Sequence, residues 1–139
     1  IHLCGKGKLD QSLVGTEGYV QFEYIKDELC DIFALADIVI SRAGANAICE
    51  LLALCKPNLL IPLSKNASRG DQILNARSFE RQGFSMVLEE EEITESTLSN
   101  AIRELYQNRA SYVHAMSESS HMNSIEKITG LIEDCVNKQ

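Results

Sequence analysis

Apolar residues in this chain fall into short unbroken runs separated by longer stretches of helical periodicity. The runs Asp37-Ile38-Val39-Ile40-Ser41, Asn58-Leu59-Leu60-Ile61-Pro62 and Ser85-Met86-Val87-Leu88 show no polar alternation, the pattern of parallel strands covered on both faces. Residues 1–5 and 19–25 are two further strand candidates. Over residues 27–36, Leu29, Ile32, Phe33 and Ala36 form a stripe of period 3.6, which predicts a helix. Residues 45–55 are almost wholly apolar and helical, and Lys56-Pro57 ends them, because the residue before proline avoids the helical region. A third helix spans 68–82, with Ile73, Leu74 and Phe79 apolar and Gly83 as its stop. Thr94 is placed to cap a helix over 95–107. Ile125, Ile128, Ile132 and Cys135 share a stripe, so 124–137 is an amphipathic closing helix. Strands alternating with helices predict an α/β fold with a mainly parallel sheet.

With 139 residues the chain suffices for one domain with a real core and is short for two. Its net charge of −7 argues against a nucleic-acid partner, which calls for a basic face. That charge leaves open one small anion held by backbone N–H groups at a helix end. The five cysteines are odd in number and lack C-x-x-C spacing, so neither a disulfide framework nor a zinc site is expected. Most sit among apolar neighbours as small hydrophobes, and a reducing cytosolic compartment fits them best. No apolar run approaches the roughly 18 residues of a membrane span. The chain opens on Ile1 in a strand pattern with no signal peptide, which suggests a piece cut from something longer. The run Glu89-Glu90-Glu91-Glu92 is expected to be a solvated loop before a helix.

Candidate chemistry lies in three segments beyond strand ends, because ligands of such folds bind beyond the carboxyl ends of the sheet. After Ser41, Gly44 permits a tight turn and close backbone approach, and a helix starts there. Its free N–H groups and positive dipole end suit a diphosphate, although a strand–helix turn needing glycine would look the same. On that helix only Asn46 and Glu50 are polar, and at i,i+4 they share a face. A carboxylate in an otherwise apolar helix is costly unless paired or facing a ligand. Adjacent ribose hydroxyls are one partner; a solvent edge, or pairing with Arg42 or Arg77, is the alternative. The third segment is the polar loop after Pro62, where Asp71, Gln72 and Asn75 gather at a helix start. Such groups suit a hydroxyl-rich ligand, and capping by Ser68 or Asp71 is the other account. His2, His114 and His121 lack partners at a telling spacing, and no Asp-x-Asp pair is present to hold a metal–diphosphate complex.

Taken in order, Ser41-Arg42-Ala43-Gly44-Ala45 with Glu50, Ile61-Pro62-Leu63, then Asp71-Gln72 with Asn75-Ala76, resembles the C-terminal domain of the MurG family. These are the UDP-N-acetylglucosamine-dependent transferases of peptidoglycan synthesis, and the resemblance covers essentially the whole chain. The version Asn66-Ala67-Ser68-Arg69-Gly70-Asp71-Gln72 is similar to that of low-GC Gram-positive members. The resemblance implies a Rossmann-like sheet with helices on both faces, with residues 1–139 forming the C-terminal nucleotide-sugar-binding half of a two-domain GT-B enzyme. It implies that Glu50 binds the ribose, that Gly44, Ala45 and Asn46 face the diphosphate, and that Arg42 stands at the mouth of that turn. Asp71 and Gln72 would contact the sugar hydroxyls, and the segment around Ile25 and Lys26 the uracil. Asp71 stands where many relatives have Gln, so it can accept from hydroxyls but not donate.

The same resemblance implies an inverting transfer of N-acetylglucosamine from UDP to a lipid-linked muramoylpentapeptide acceptor. The acceptor would be held by an N-terminal domain outside this chain, at the inner face of the cell membrane. No catalytic base, metal or cofactor is assigned to any residue here. A glycolipid-forming or lipid-linked-oligosaccharide relative, a stand-alone donor subunit and a non-enzymatic UDP-sugar sensor keep the same fold. An epimerase would need carboxylates and a histidine that have no place here.

Overall fold

The computed structural model describes residues 1–64 and 69–119. The chain divides into two compact units, Ile1–Ala36 and Asp37–Gln139.

In the first unit, β1 (His2–Leu3) pairs in parallel with β2 (Gln21–Phe22), His2 opposite Gln21 and Leu3 opposite Phe22. A seven-residue helix, α1 (Leu29–Leu35), follows. The predicted strands over 1–5 and 19–25 shrink to two residues each, because the connection between them holds its own local structure. Asp10 caps a short 3-10 turn (Gln11–Leu13) by accepting from the Ser12 N–H at 2.9 Å. Gln21 fastens that turn to β2, donating to the Asp10 carbonyl at 2.6 Å and accepting from the Asp10 N–H at 3.0 Å.

The second unit carries a sheet ordered β3-β4-β5: β3 (Val39–Ser41), β4 (Asn58–Leu60) and β5 (Met86–Val87), all parallel. Around it come α2 (Ala45–Ala53), α3 (Asp71–Arg81), α4 (Glu95–Gln107) and α5 (Arg109–Ser117). The α/β fold with parallel strands is thus as the sequence predicts. Two-sided burial holds for the central strand alone. Leu59 and Leu60 of β4 are fully buried, whereas Ile40 in β3 is 47% exposed.

Two apolar clusters hold this unit together. Ala43, Ile48, Leu60 and Ala76 pack with Phe79 and Val87, joining α2, α3 and the sheet. Leu52, Phe84 and Met116 pack with Cys55, Phe79, Tyr112 and Ala115. At the opposite end of the sheet from the loops described below, buried Asn58 donates to the carbonyls of Lys56 and Phe84 at 2.9 and 3.3 Å.

Helix α2 stops two residues before the predicted 55. The Lys56 N–H bonds the Leu51 carbonyl and the Cys55 N–H the Leu52 carbonyl, with Cys55 in the left-handed region at φ 48°. That closure satisfies the last carbonyls before the proline is reached. Helix α3 starts at Asp71 rather than 68, since Gly70 at φ +85° breaks the helical path just ahead of it. The Thr94 cap is present and reinforced: its hydroxyl accepts from the Thr97 N–H, and the Thr97 hydroxyl accepts from the Thr94 N–H. Helix α5 is absent from the sequence prediction; its stripe of Tyr112, Ala115 and Met116 is too short to stand out. The predicted closing helix over 124–137 lies outside the described residues.

Cys30 and Cys49 are exposed, and Cys4 and Cys55 half-buried, so the expectation that most cysteines serve as buried hydrophobes does not hold for the four described.

Candidate functional site

Ser41 stands opposite Leu60, and Leu60 opposite Val87, so β3, β4 and β5 end side by side. Their loops therefore open on one edge of the sheet, which is where the second unit places the candidate residues.

The turn after β3 buries Ala43 completely, and Gly44 begins α2. No side chain caps this helix, and its first backbone bond runs from the Ile48 N–H to the Gly44 carbonyl at 3.0 Å. The N–H groups of Ala45, Asn46 and Ala47 therefore precede any intrahelical partner and stand at the positive end of the dipole. Ala45 and Asn46 are exposed. The alternative account, a turn that merely needs glycine, finds no support. Gly44 has φ −68°, open to any residue, and a Cβ there would meet nothing within 4 Å.

Along α2, Ile48, Leu51 and Leu52 are buried, while Asn46, Cys49, Glu50 and Ala53 lie on the exposed face. Glu50 makes no side-chain hydrogen bond or ion pair among the described residues. It is not held by Arg42 or Arg77, for both are engaged elsewhere: Arg42 with Glu90 at 2.6 Å, Arg77 with Glu80 at 2.7 Å and with Glu89. Because Glu50 is exposed, the cost of burying a carboxylate does not arise. What remains is an unpaired carboxylate one turn along from an uncapped helix start.

The third segment is more interlocked than its sequence suggests. The Gln72 side-chain oxygen accepts from the Leu63 N–H at 3.1 Å, and the Asn75 amide donates to the Ala43 carbonyl at 3.2 Å. Both residues therefore brace the loop and the turn. Among the described residues no side chain caps α3, so Asp71 is not serving as a cap; Ser68 lies outside the described residues. Asp71 is exposed in the first turn, its carboxylate without a partner among the described residues.

Sequence reasoning missed Glu90. The acidic run was expected to be solvated throughout, but only Glu91 and Glu92 are exposed, and Glu90–Glu92 forms a 3-10 turn. Glu90 accepts from Arg42 Nη2 with one oxygen and from the Ser64 N–H at 3.2 Å with the other. Arg42 Nη1 donates in turn to the Ile61 carbonyl at 3.2 Å. The Arg42 guanidinium, then the Ser64 N–H, hold the Glu90 carboxyl below its ordinary range. Glu80, then Glu89, raise the Arg77 guanidinium in the same way. A run of four identical acids carries no periodicity that could have marked one of them.

Lys26 belongs to the first unit, exposed, with its ammonium 5.9 Å from the centroid of the Tyr24 ring. His2 bonds the Tyr19 hydroxyl at 2.7 Å, and His114 is exposed. Among the described residues there is no cluster of three or more metal-ligating side chains, and no helix long and apolar enough to cross a membrane.

Residues 1–132 match the family model described as the glycosyltransferase family 28 C-terminal domain. The chain is 64% identical over 134 residues to the UDP-N-acetylglucosamine--N-acetylmuramyl-(pentapeptide) pyrophosphoryl-undecaprenol N-acetylglucosamine transferase of Lachnospira eligens. It is 59% identical over 133 residues to the protein of the same name from Clostridium novyi. In each case 96% of this chain is covered, and it spans 38% and 37% of those relatives. A crystal structure of Acinetobacter baumannii MurG has the same fold, with a TM-score of 0.77 at 20% identity, covering 96% of this chain and 40% of that one.

Proposed function

This chain belongs to the glycosyltransferase family 28 C-terminal domains, and from that premise we propose that it is the donor-binding half of an inverting N-acetylglucosaminyltransferase. The donor is UDP-N-acetylglucosamine. The acceptor is the lipid-linked muramoylpentapeptide that the relatives' names specify, bound by residues outside this chain at the inner face of the membrane. One observation carries the reading: α2 presents an uncapped N-terminus and, on its exposed face, the carboxylate of Glu50, unpaired among the described residues. Free N–H groups at a dipole's positive end bind a diphosphate. A carboxylate accepts from two adjacent hydroxyls, which a ribose supplies. Asp71 offers acceptors to the sugar, while Gln72 ties the same helix to Leu63 after β4 and Asn75 ties it to the turn at Ala43. Arg42 lies beside the phosphates.

In the reaction the bond from the anomeric carbon to the diphosphate breaks as the acceptor oxygen bonds the opposite face. Negative charge grows on the leaving UDP. The N–H groups of Ala45 to Ala47 are already oriented for it, so they stabilise it without reorganisation as the bond breaks. Removal of the acceptor proton falls to a group outside this chain.

The test is Glu50→Ala in the full-length enzyme. Losing the ribose contact raises the donor KM about tenfold or more, with the acceptor KM and melting temperature unchanged. A donor KM equal to wild type removes the assignment. Lipid-linked muramoylpentapeptide assayed against diacylglycerol separates the proposed acceptor from a glycolipid one.

A further inference from the structure

We propose that Glu90 is a positioning residue that sets the donor sites on either side of it, holding the diphosphate turn and the sugar loop in one geometry. The inference rests on the proposed donor site and deepens it.

Three anchor points fix residues 61–64, the start of the loop leaving β4. The Ile61 carbonyl accepts from Arg42, the Leu63 N–H donates to Gln72, and the Ser64 N–H donates to Glu90. Arg42 belongs to the turn that leads into Gly44, and Glu90 bonds Arg42 as well. The two oxygens of one carboxylate thus join two segments that come from different strands. A carboxylate suits this because it offers acceptors on both oxygens and donates from neither. The link is only partly shielded, with the side chains of Arg42 and Glu90 49% and 34% exposed. It therefore contributes little to overall stability, and its value lies in where it holds groups. Binding contacts lose strength steeply when misplaced by a fraction of an ångström. A brace between the phosphate turn and the sugar loop therefore acts on donor recognition.

Charge alone makes the opposite prediction. An acid beside an anion site repels the anion, so removing it would tighten UDP binding. The positioning role requires binding to weaken despite the lost repulsion.

The experiment uses the full-length enzyme with Glu90→Ala, Glu90→Gln and Arg42→Gln, the Arg42→Gln/Glu90→Gln double variant, and Glu50→Ala as reference. Donor KM, acceptor KM, UDP affinity and melting temperature are measured. Glu90→Ala should raise the donor KM about tenfold and weaken UDP, leaving the acceptor KM and melting temperature near wild type. Glu90→Gln, which keeps one oxygen acceptor, should fall between; should the alanine variant fail to fold, it carries the test. The double variant should lose less than the sum of its single variants, because both break one link. An unchanged donor KM, tighter UDP binding, or both KM values rising together with a lower melting temperature would overturn the role. If Glu50→Ala weakens donor binding while Glu90→Ala does not, this inference fails and the donor site stands. The reverse pattern retains the brace and rejects the ribose assignment.

Discussion

At Gly44 the backbone needs nothing that only glycine supplies: φ is −68° and the space around a Cβ is open. If the fold does not require glycine there, Gly44→Ala should cost no more than about 1 kcal/mol, the modest difference between the two residues at a helix start. The added methyl stands beside the uncapped N–H groups, so the donor KM should rise about tenfold. Thermal melts and donor kinetics on one preparation check this. Full stability with an unaltered donor KM would place the diphosphate elsewhere. Glu50 and Asp71 were legible in the sequence as polar residues at helical spacing, and both are exposed without a partner among the described residues. Gln72 and Asn75 were equally legible, yet each spends its side chain on a neighbouring backbone group. Residue type gave the hydrogen-bonding capacity of those amides; only the packed loop determined who receives it.

Among the elements, α4 and α5 contrast what patterns disclose. Helix α4 begins where Thr94 caps it and spans the expected 95–107, because a cap is a local property. Helix α5 is held by tertiary contacts, through fully buried Met116 against Leu52 and Phe84. Met116→Ala should cost about 2–5 kcal/mol, combining lost transfer energy with a residual cavity. Thr94→Ala should cost about 1 kcal/mol, one lost cap. Urea denaturation of both variants tests the ranking. Near-equal losses would mean that the second cluster does not hold α5. The strands were recognisable as apolar runs, but their lengths were not, since pairing ends where loop groups find other partners.

Among the described residues, the carboxylates with displaced titration are Glu90 and Asp10, both in connections between strands and helices. Glu90 is held low by Arg42 and Ser64, and Asp10 by the hydroxyl and N–H of Ser12. A depressed folded pKa gives stability that is present above the unfolded values, 4.5 and 3.8, and lost as pH falls through the lower folded ones. Stability should therefore decline on acidification below about pH 4.5. Glu90→Gln should flatten that decline, and urea unfolding as a function of pH reads it; an identical pH slope in the variant would exclude Glu90 as a contributor. The sequence by itself determined the α/β class, the order of the strands and of every described helix but α5, and the turn, helix face and loop that hold the candidate chemistry. Hydrophobic period, caps and turn residues act within a few positions of one another and so can be read along a line. Tertiary structure decided that Ser41, Leu60 and Val87 end abreast, and that Arg42 reaches Glu90 across 48 positions of chain. Hydrogen bonds between distant residues depend on strand register and loop path, and a run of four glutamates holds no record of which one they select.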